Sequence, residues 1–199
     1  MSFARAEARK KYNQGKLREN HLPADPLCKQ EELPPLDLGQ LNRAGRRLLG
    51  RWYVGTFEED TIPRPPIVPI GANGWCMIVN TLKRDAPMSK SGHWIALCET
   101  PDGQTHFFDS YGRQPTVSKW YDYLVHYSKH HRPPSFNSTP VQAFSTNSCG
   151  YFCLEYLKAR KAHPTLSDSQ VVRLFLPPEH ILCKTTKKIL SSPYPIIKH

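Results

Sequence analysis

The chain lacks any long hydrophobic run: nothing in its 199 residues approaches the roughly 18 apolar residues that a membrane-spanning helix needs, and it opens on charged rather than apolar residues. The sequence therefore reads as that of a soluble, unsecreted protein with no membrane partner. Cysteine is sparse as well. The six cysteines, at 28, 76, 98, 149, 153 and 183, form no CxxC pair and lack the density of a secreted disulfide scaffold. A reducing compartment is expected, with most thiols buried and inert. Nine histidines are present, yet two-plus-two clusters at zinc-ligand spacing are missing, so neither a metal nor an organic cofactor is expected. There is no internal repeat.

Net negative charge is missing everywhere. Residues 51–157 hold nine Lys/Arg against nine Asp/Glu, residues 1–50 ten against six, and residues 158–199 eight against two, so the flanks carry the whole net charge of +10. A neutral middle with basic ends suits a polyanion such as DNA as an accessory partner met by surface patches, and equally suits solubility alone. This division predicts a basic, proline-containing segment over 1–50 and a folded domain over 51–199, with the packed part starting near Trp52 and a basic tail at the end.

Short elements follow one another along that domain. Trp52–Phe57 reads as a strand, Trp75–Thr81 as a buried element, and Ser118–Lys129 as a helix whose Trp120, Tyr123, Leu124 and Tyr127 form one apolar stripe. A strand is expected over Ser138–Gln142 and a capped helix over Ser167–Phe175, while Leu41–Leu49 reads as a short basic helix and residues 2–20 as a further helix. His93–Glu99 and Thr105–Ser110 flank the turn signal Pro101-Asp-Gly103 and predict a β-hairpin. That hairpin would set His93 and Asp109, sixteen residues apart in sequence, at one edge of the sheet.

The stretch Gln142-Ala-Phe-Ser-Thr-Asn-Ser-Cys149-Gly150-Tyr-Phe-Cys153 carries the chemistry. Asn147 and Ser148 are capping residue types, and Gly150–Arg160 runs helically behind them, which sets Cys149 at the positive end of a helix. A thiol is a strong nucleophile only as the thiolate, and such a position favours it. The candidate site is then Cys149 as nucleophile, His93 as base and ion-pair partner, and Asp109 as the acceptor that fixes the imidazole tautomer. Gln142 is the fourth member, its amide N–H and the backbone N–H of Cys149 forming an oxyanion hole.

The strings Ile78-Val-Asn-Thr81, His93-Trp94, Phe108-Asp109-Ser-Tyr-Gly112, and Val141-Gln142 with six residues before Cys149-Gly150 and Phe152-Cys153 closely resemble the adenovirus endopeptidase (adenain) family. Gly55-Thr56-Phe57 extends the likeness, which covers roughly residues 52–160. The resemblance implies an α+β cysteine protease fold, with a small central mixed sheet flanked by helices and the nucleophile at a helix N-terminus. It implies a monomeric enzyme of a double-stranded DNA virus or related element that cuts viral precursor polypeptides at Gly-containing sites during virion maturation, in the virion and the host nucleus. Trp94 and the segment Gly55, Thr56, Phe57 and Glu58 would wall its cleft. Related SUMO-deconjugating proteases share the order His, acid, Gln, Cys with one residue fewer in the last interval, and a basic nucleic-acid-binding virion protein with a vestigial site is the reading outside enzymes.

The chain departs from that family at several points. Its acid is Asp109 where adenoviral enzymes carry Glu, the segment before Gly55 is longer, and the part after Cys149 is shorter. The family is activated by DNA and by a basic peptide attached through a disulfide, but His130-His131-Arg132 offers no cysteine to receive one. An activating segment supplied in cis, around Leu27-Cys28-Lys29 or Ile181–Lys188, is the corresponding expectation.

Overall fold

The computed structural model describes residues 33–63, 74–87, 92–115, 119–128, 130–142 and 146–175. The expected helix over 2–20, both expected activating segments, the basic tail and the proline-containing residues 64–73 lie outside them. Helix α1 (Leu38–Leu49) leads through a 3-10 turn (Gly50–Trp52) into strand β1 (Tyr53–Phe57). Strands β2 (Trp75–Asn80), β3 (Trp94–Glu99) and β4 (Thr105–Asp109) follow, then helix α2 (Trp120–Tyr127), strand β5 (Ser135–Phe136), helix α3 (Cys149–Ala162) and helix α4 (Asp168–Arg173).

The protein is α+β, with one mixed sheet in the order β1-β2-β3-β4-β5. Strands β2, β3 and β4 are antiparallel neighbours, and β1 and β5 join the edges in parallel. Both faces of the central strands are covered, so they read as near-continuous apolar runs, and side-chain alternation divides them between two cores. Cys76, Ile78, Ala96, Cys98 and Phe108 meet α1, α3 and α4 through Leu41, Leu49, Phe152, Tyr156, Leu157 and Val171. Trp75, Met77, Val79, Ile95, Leu97 and Phe107 meet Trp120 and Leu124 of α2, with Tyr123 partly buried against them, three of the four residues of the apolar stripe expected for that helix.

Helix α1 is capped by Asp37, whose carboxylate accepts from Gln40 N while the Gln40 side chain accepts from Asp37 N, a reciprocal capping box. Its buried Leu41, Ala44 and Leu49 belong to the larger core, so the packed body takes in residues ahead of Trp52 that the sequence reading placed in the N-terminal segment. The helix is amphipathic, and its exposed arginines at 43, 46 and 47 masked the buried stripe in a reading based on charge. Gly45 fixes how near α1 lies to the sheet: a Cβ there would stand 2.3 Å from Tyr53 Cζ.

A buried polar cluster ties the far ends together. Asp168, 3% exposed, accepts from His106 Nδ1 of β4 (3.2 Å) and Arg160 Nη2 of α3 (2.8 Å), and from the hydroxyls of Tyr156 and Ser135. Burial alone would raise the Asp168 pKa, but the His106 hydrogen bond and charge, with the Ser135 and Tyr156 hydroxyls, hold it well below the usual carboxylate range. The strand expected over 138–142 does not form. Pro140 has no N–H, and the amides of Val141 and Gln142 both turn to one acceptor, Ser110 O, at 2.8 and 3.1 Å, in place of a ladder.

Candidate active site

The hairpin forms around Pro101-Asp-Gly103, and its register sets Asp109, the last residue of β4, opposite Ile95 of β3. His93 stands immediately ahead of β3, where its N–H donates to Thr81 Oγ1 (3.2 Å) and its carbonyl accepts from Thr81 N (2.9 Å). The two side chains meet at 2.7 Å between His93 Nε2 and Asp109 Oδ1, and are only 15% and 6% exposed. The carboxylate accepts, so Nε2 carries the proton.

Cys149 is the first residue of α3 and is buried. With Nε2 engaged by Asp109, the ring nitrogen left for the Cys149 thiol is Nδ1. Burial acts to lower the His93 pKa, but the hydrogen bonds to Asp109 and Cys149 and the interactions with both groups outweigh it and raise the value to about 9. The imidazolium is therefore the resting form at neutral pH. Capping at this end differs from the sequence expectation: Ser148 is the cap residue, but at φ −90° and ψ 6° it is not extended and its side chain makes no capping bond.

Gln142 is 2% exposed, and its amide is fully engaged inside the protein. Its Oε1 accepts from Ser110 Oγ (2.6 Å), while its Nε2 donates to Thr146 O (2.6 Å) and at longer range to the Tyr111 hydroxyl (3.4 Å). The structure thus brings Gln142 to the loop that follows Asp109, with both amide protons directed at protein oxygens.

Two residues beside Asp109 were not among the expected site residues: Ser110, read as the end of the second hairpin strand, and Tyr111. The Tyr111 ring stacks on His93 with centroids 4.6 Å apart and planes 20° apart, and the Arg113 guanidinium lies 5.1 Å from the other ring's centroid, over Tyr111. Tyr111 N also donates to Asp109 Oδ1 (2.8 Å), so the carboxylate oxygen that holds His93 is itself held by the backbone. Gly112 permits this tight turn: it has φ 68°, its N–H closes on Asp109 O (2.8 Å), and a Cβ there would stand 2.8 Å from Pro140 N. A strand ending in an acid and followed at once by Ser-Tyr-Gly was the available signal, because such a turn returns its side chains to the edge where the acid lies.

The residues expected to wall the cleft take the following places. Trp94 points into the helical core at 9% exposure and its Nε1 donates to Leu36 O (3.1 Å), so it anchors the segment ahead of α1. Thr56 is buried with its hydroxyl 2.5 Å from the Tyr53 hydroxyl, and Gly55 lies under the Phe57 ring. Glu58 pairs with Arg84 at 3.2 Å. No group of three or more His, Cys, Asp or Glu placed to hold a metal occurs among the described residues.

No protein-family model matches the chain, and no curated protein matches it by sequence.

Proposed function

We propose that the chain is a cysteine endopeptidase in which Cys149 attacks the carbonyl carbon of a substrate peptide bond. The observation that carries this reading is the placement of His93 between the Asp109 carboxylate, at 2.7 Å, and the Cys149 thiol at the start of α3. An imidazolium held against a thiol at a helix N-terminus is the arrangement that favours a thiolate–imidazolium pair. As the C–S bond forms, the carbonyl π electrons move to oxygen. On collapse the C–N bond breaks, and His93 delivers its proton to the departing amine. Water then attacks the thioester with the neutral imidazole as base, the C–S bond breaks, and the carboxylic acid leaves with the thiolate–imidazolium pair restored. The backbone N–H of Cys149 and an amide proton of Gln142, drawn from Tyr111 where it reaches only 3.4 Å, would meet the oxyanion.

The likeness of the His93, Asp109, Gln142 and Cys149 strings to the adenain family supports a further reading: viral precursor polypeptides with Gly at the cut site as substrates, a virion and nuclear setting, and DNA or a peptide segment as activator. Labelling with a peptide-based electrophile at Cys149, lost in Cys149→Ser and sharply slowed in His93→Ala, is the expected result, and labelling indifferent to His93 would overturn the enzyme reading. A peptide-library profile taken with and without DNA tests the substrate class. Cleavage confined to ubiquitin-like fusions would replace the endopeptidase reading with a deconjugase.

A further inference from the structure

Asp109 must hold its carboxylate still against His93, yet it is the last residue of β4, where the ladder to β5 has already ended: the paired residues are His106 with Ser135 and Phe107 with Phe136. The next residue along β5 takes over with its side chain. Asn137, 1% exposed, accepts from Asp109 N at its Oδ1 (3.1 Å) and donates from its Nδ2 to Asp109 O (2.8 Å) and to Thr139 O (3.1 Å). A primary amide matches this demand, because it offers one acceptor and two donors and all three are used. The same amide therefore stands in for a strand backbone and extends the sheet to the acid.

Everything beyond that clamp belongs to the candidate site. Asp109 meets His93, Ser110 Oγ donates to Gln142, and the Tyr111 ring stacks on His93, all from three consecutive residues whose first is gripped at both its N–H and its carbonyl. We propose that Asn137 is a positioning residue of this enzyme, fixing the Asp109–Tyr111 turn and through it the imidazole and the Gln142 amide. The proposal rests on the cysteine-protease reading for its effect on turnover, but not for its effect on His93.

The test uses the full chain and three variants. Asn137→Ala removes the clamp. Asn137→Leu keeps about the same volume and adds no charge but loses the acceptor and both donors. Ser135→Ala is the control, since it breaks a part-buried bond to Asp168 from the same edge strand, the hydroxyl being turned to Asp168 and not to Asp109. The His93 imidazole, which faces Asp109, Cys149 and the Tyr111 ring with Arg113 over the Tyr111 ring, is followed by NMR as a function of pH. Its midpoint, about 9 in the parent, is expected to fall by about one pH unit in both Asn137 variants, and kcat by on the order of tenfold with KM changed less than about twofold. Ser135→Ala is expected to lower Tm while leaving the midpoint and kcat in place. An unchanged His93 midpoint in a folded Asn137 variant overturns the proposal. Where neither variant folds, the parent still decides: the Asn137 side-chain amide signals are expected to shift with the His93 midpoint, and flat signals across it overturn the proposal. If no peptide is cleaved by the parent, the protease reading fails, while the His93 titration still tests the clamp.

Discussion

Replacing Asp109 with Asn should weaken the preference of His93 for its charged form, and the structure sets the size of the effect. Two opposed influences act on this ring. Burial of a side chain only 15% exposed disfavours the charged form, and the Asp109 hydrogen bond and charge, with those of Cys149, more than reverse it to give about 9 in place of 6.5. An opposite charge at this range moves a pKa by about 1–3 units, so Asp109→Asn should bring the His93 midpoint to between about 6 and 8. At ~1.4 kcal/mol per unit, that is a loss of about 1.5–4 kcal/mol of preference for the imidazolium. The amide oxygen of Asn can still accept from Nε2, so geometry is kept and only charge is lost. Imidazole NMR, assigned with His93→Gln, measures the midpoint directly.

The same shift has a consequence for stability whose sign is fixed. His93 has a higher pKa folded than unfolded, so its contribution is fully present below about 6.5 and is lost as pH rises through about 9. Urea unfolding of the parent should therefore weaken between pH 6 and 9.5 by up to about 3 kcal/mol from this group, and Asp109→Asn should flatten that dependence. An identical His93 midpoint in parent and variant, or pH profiles of stability that superimpose, would refute the assignment of the shift to Asp109.

Other perturbations separate packing from chemistry. Tyr111→Ala should lower kcat by about two- to tenfold, the equivalent of an aromatic pair of about 0.5–1.5 kcal/mol, while Tyr111→Phe keeps the stack and should stay within about threefold of the parent in a steady-state peptide assay. Trp94→Phe strips the donor from Leu36 O and should cost about 1–3 kcal/mol in a denaturant titration, with KM unchanged because the ring faces the core. Gly45→Ala should lose about 1–3 kcal/mol by the same measurement, even though alanine is the better helix former, because its Cβ meets the Tyr53 ring. Asp168→Ala should cost about 3–5 kcal/mol by leaving Arg160 buried without its carboxylate, and Arg160→Met in the same chain should recover part of that loss.

The parts of the fold that were legible in the sequence are those set by local periodicity and turn chemistry. Pro101-Asp-Gly103 between two short apolar runs determined the hairpin, and the hairpin alone determined that His93 and Asp109 share an edge. Spacing within α2 likewise separated the buried Trp120 and Leu124 from the exposed face. What stayed hidden was long-range polar pairing, in which a side chain completes someone else's backbone. Asn137 looks like a loop residue because its partner lies 28 positions earlier, and Ser110 looks like the end of a strand because Gln142 is 32 positions later. The strand expected over 138–142 failed for a related reason: its apolar and β-branched residues suited a ladder, but Ser110 O had already collected the amides of Val141 and Gln142. A candidate site built at the end of a sheet, where backbone pairing runs out, needs side chains to continue that pairing. The residues that do so carry no periodic signal, since each serves a single neighbour, and for Asp109 that neighbour is Asn137.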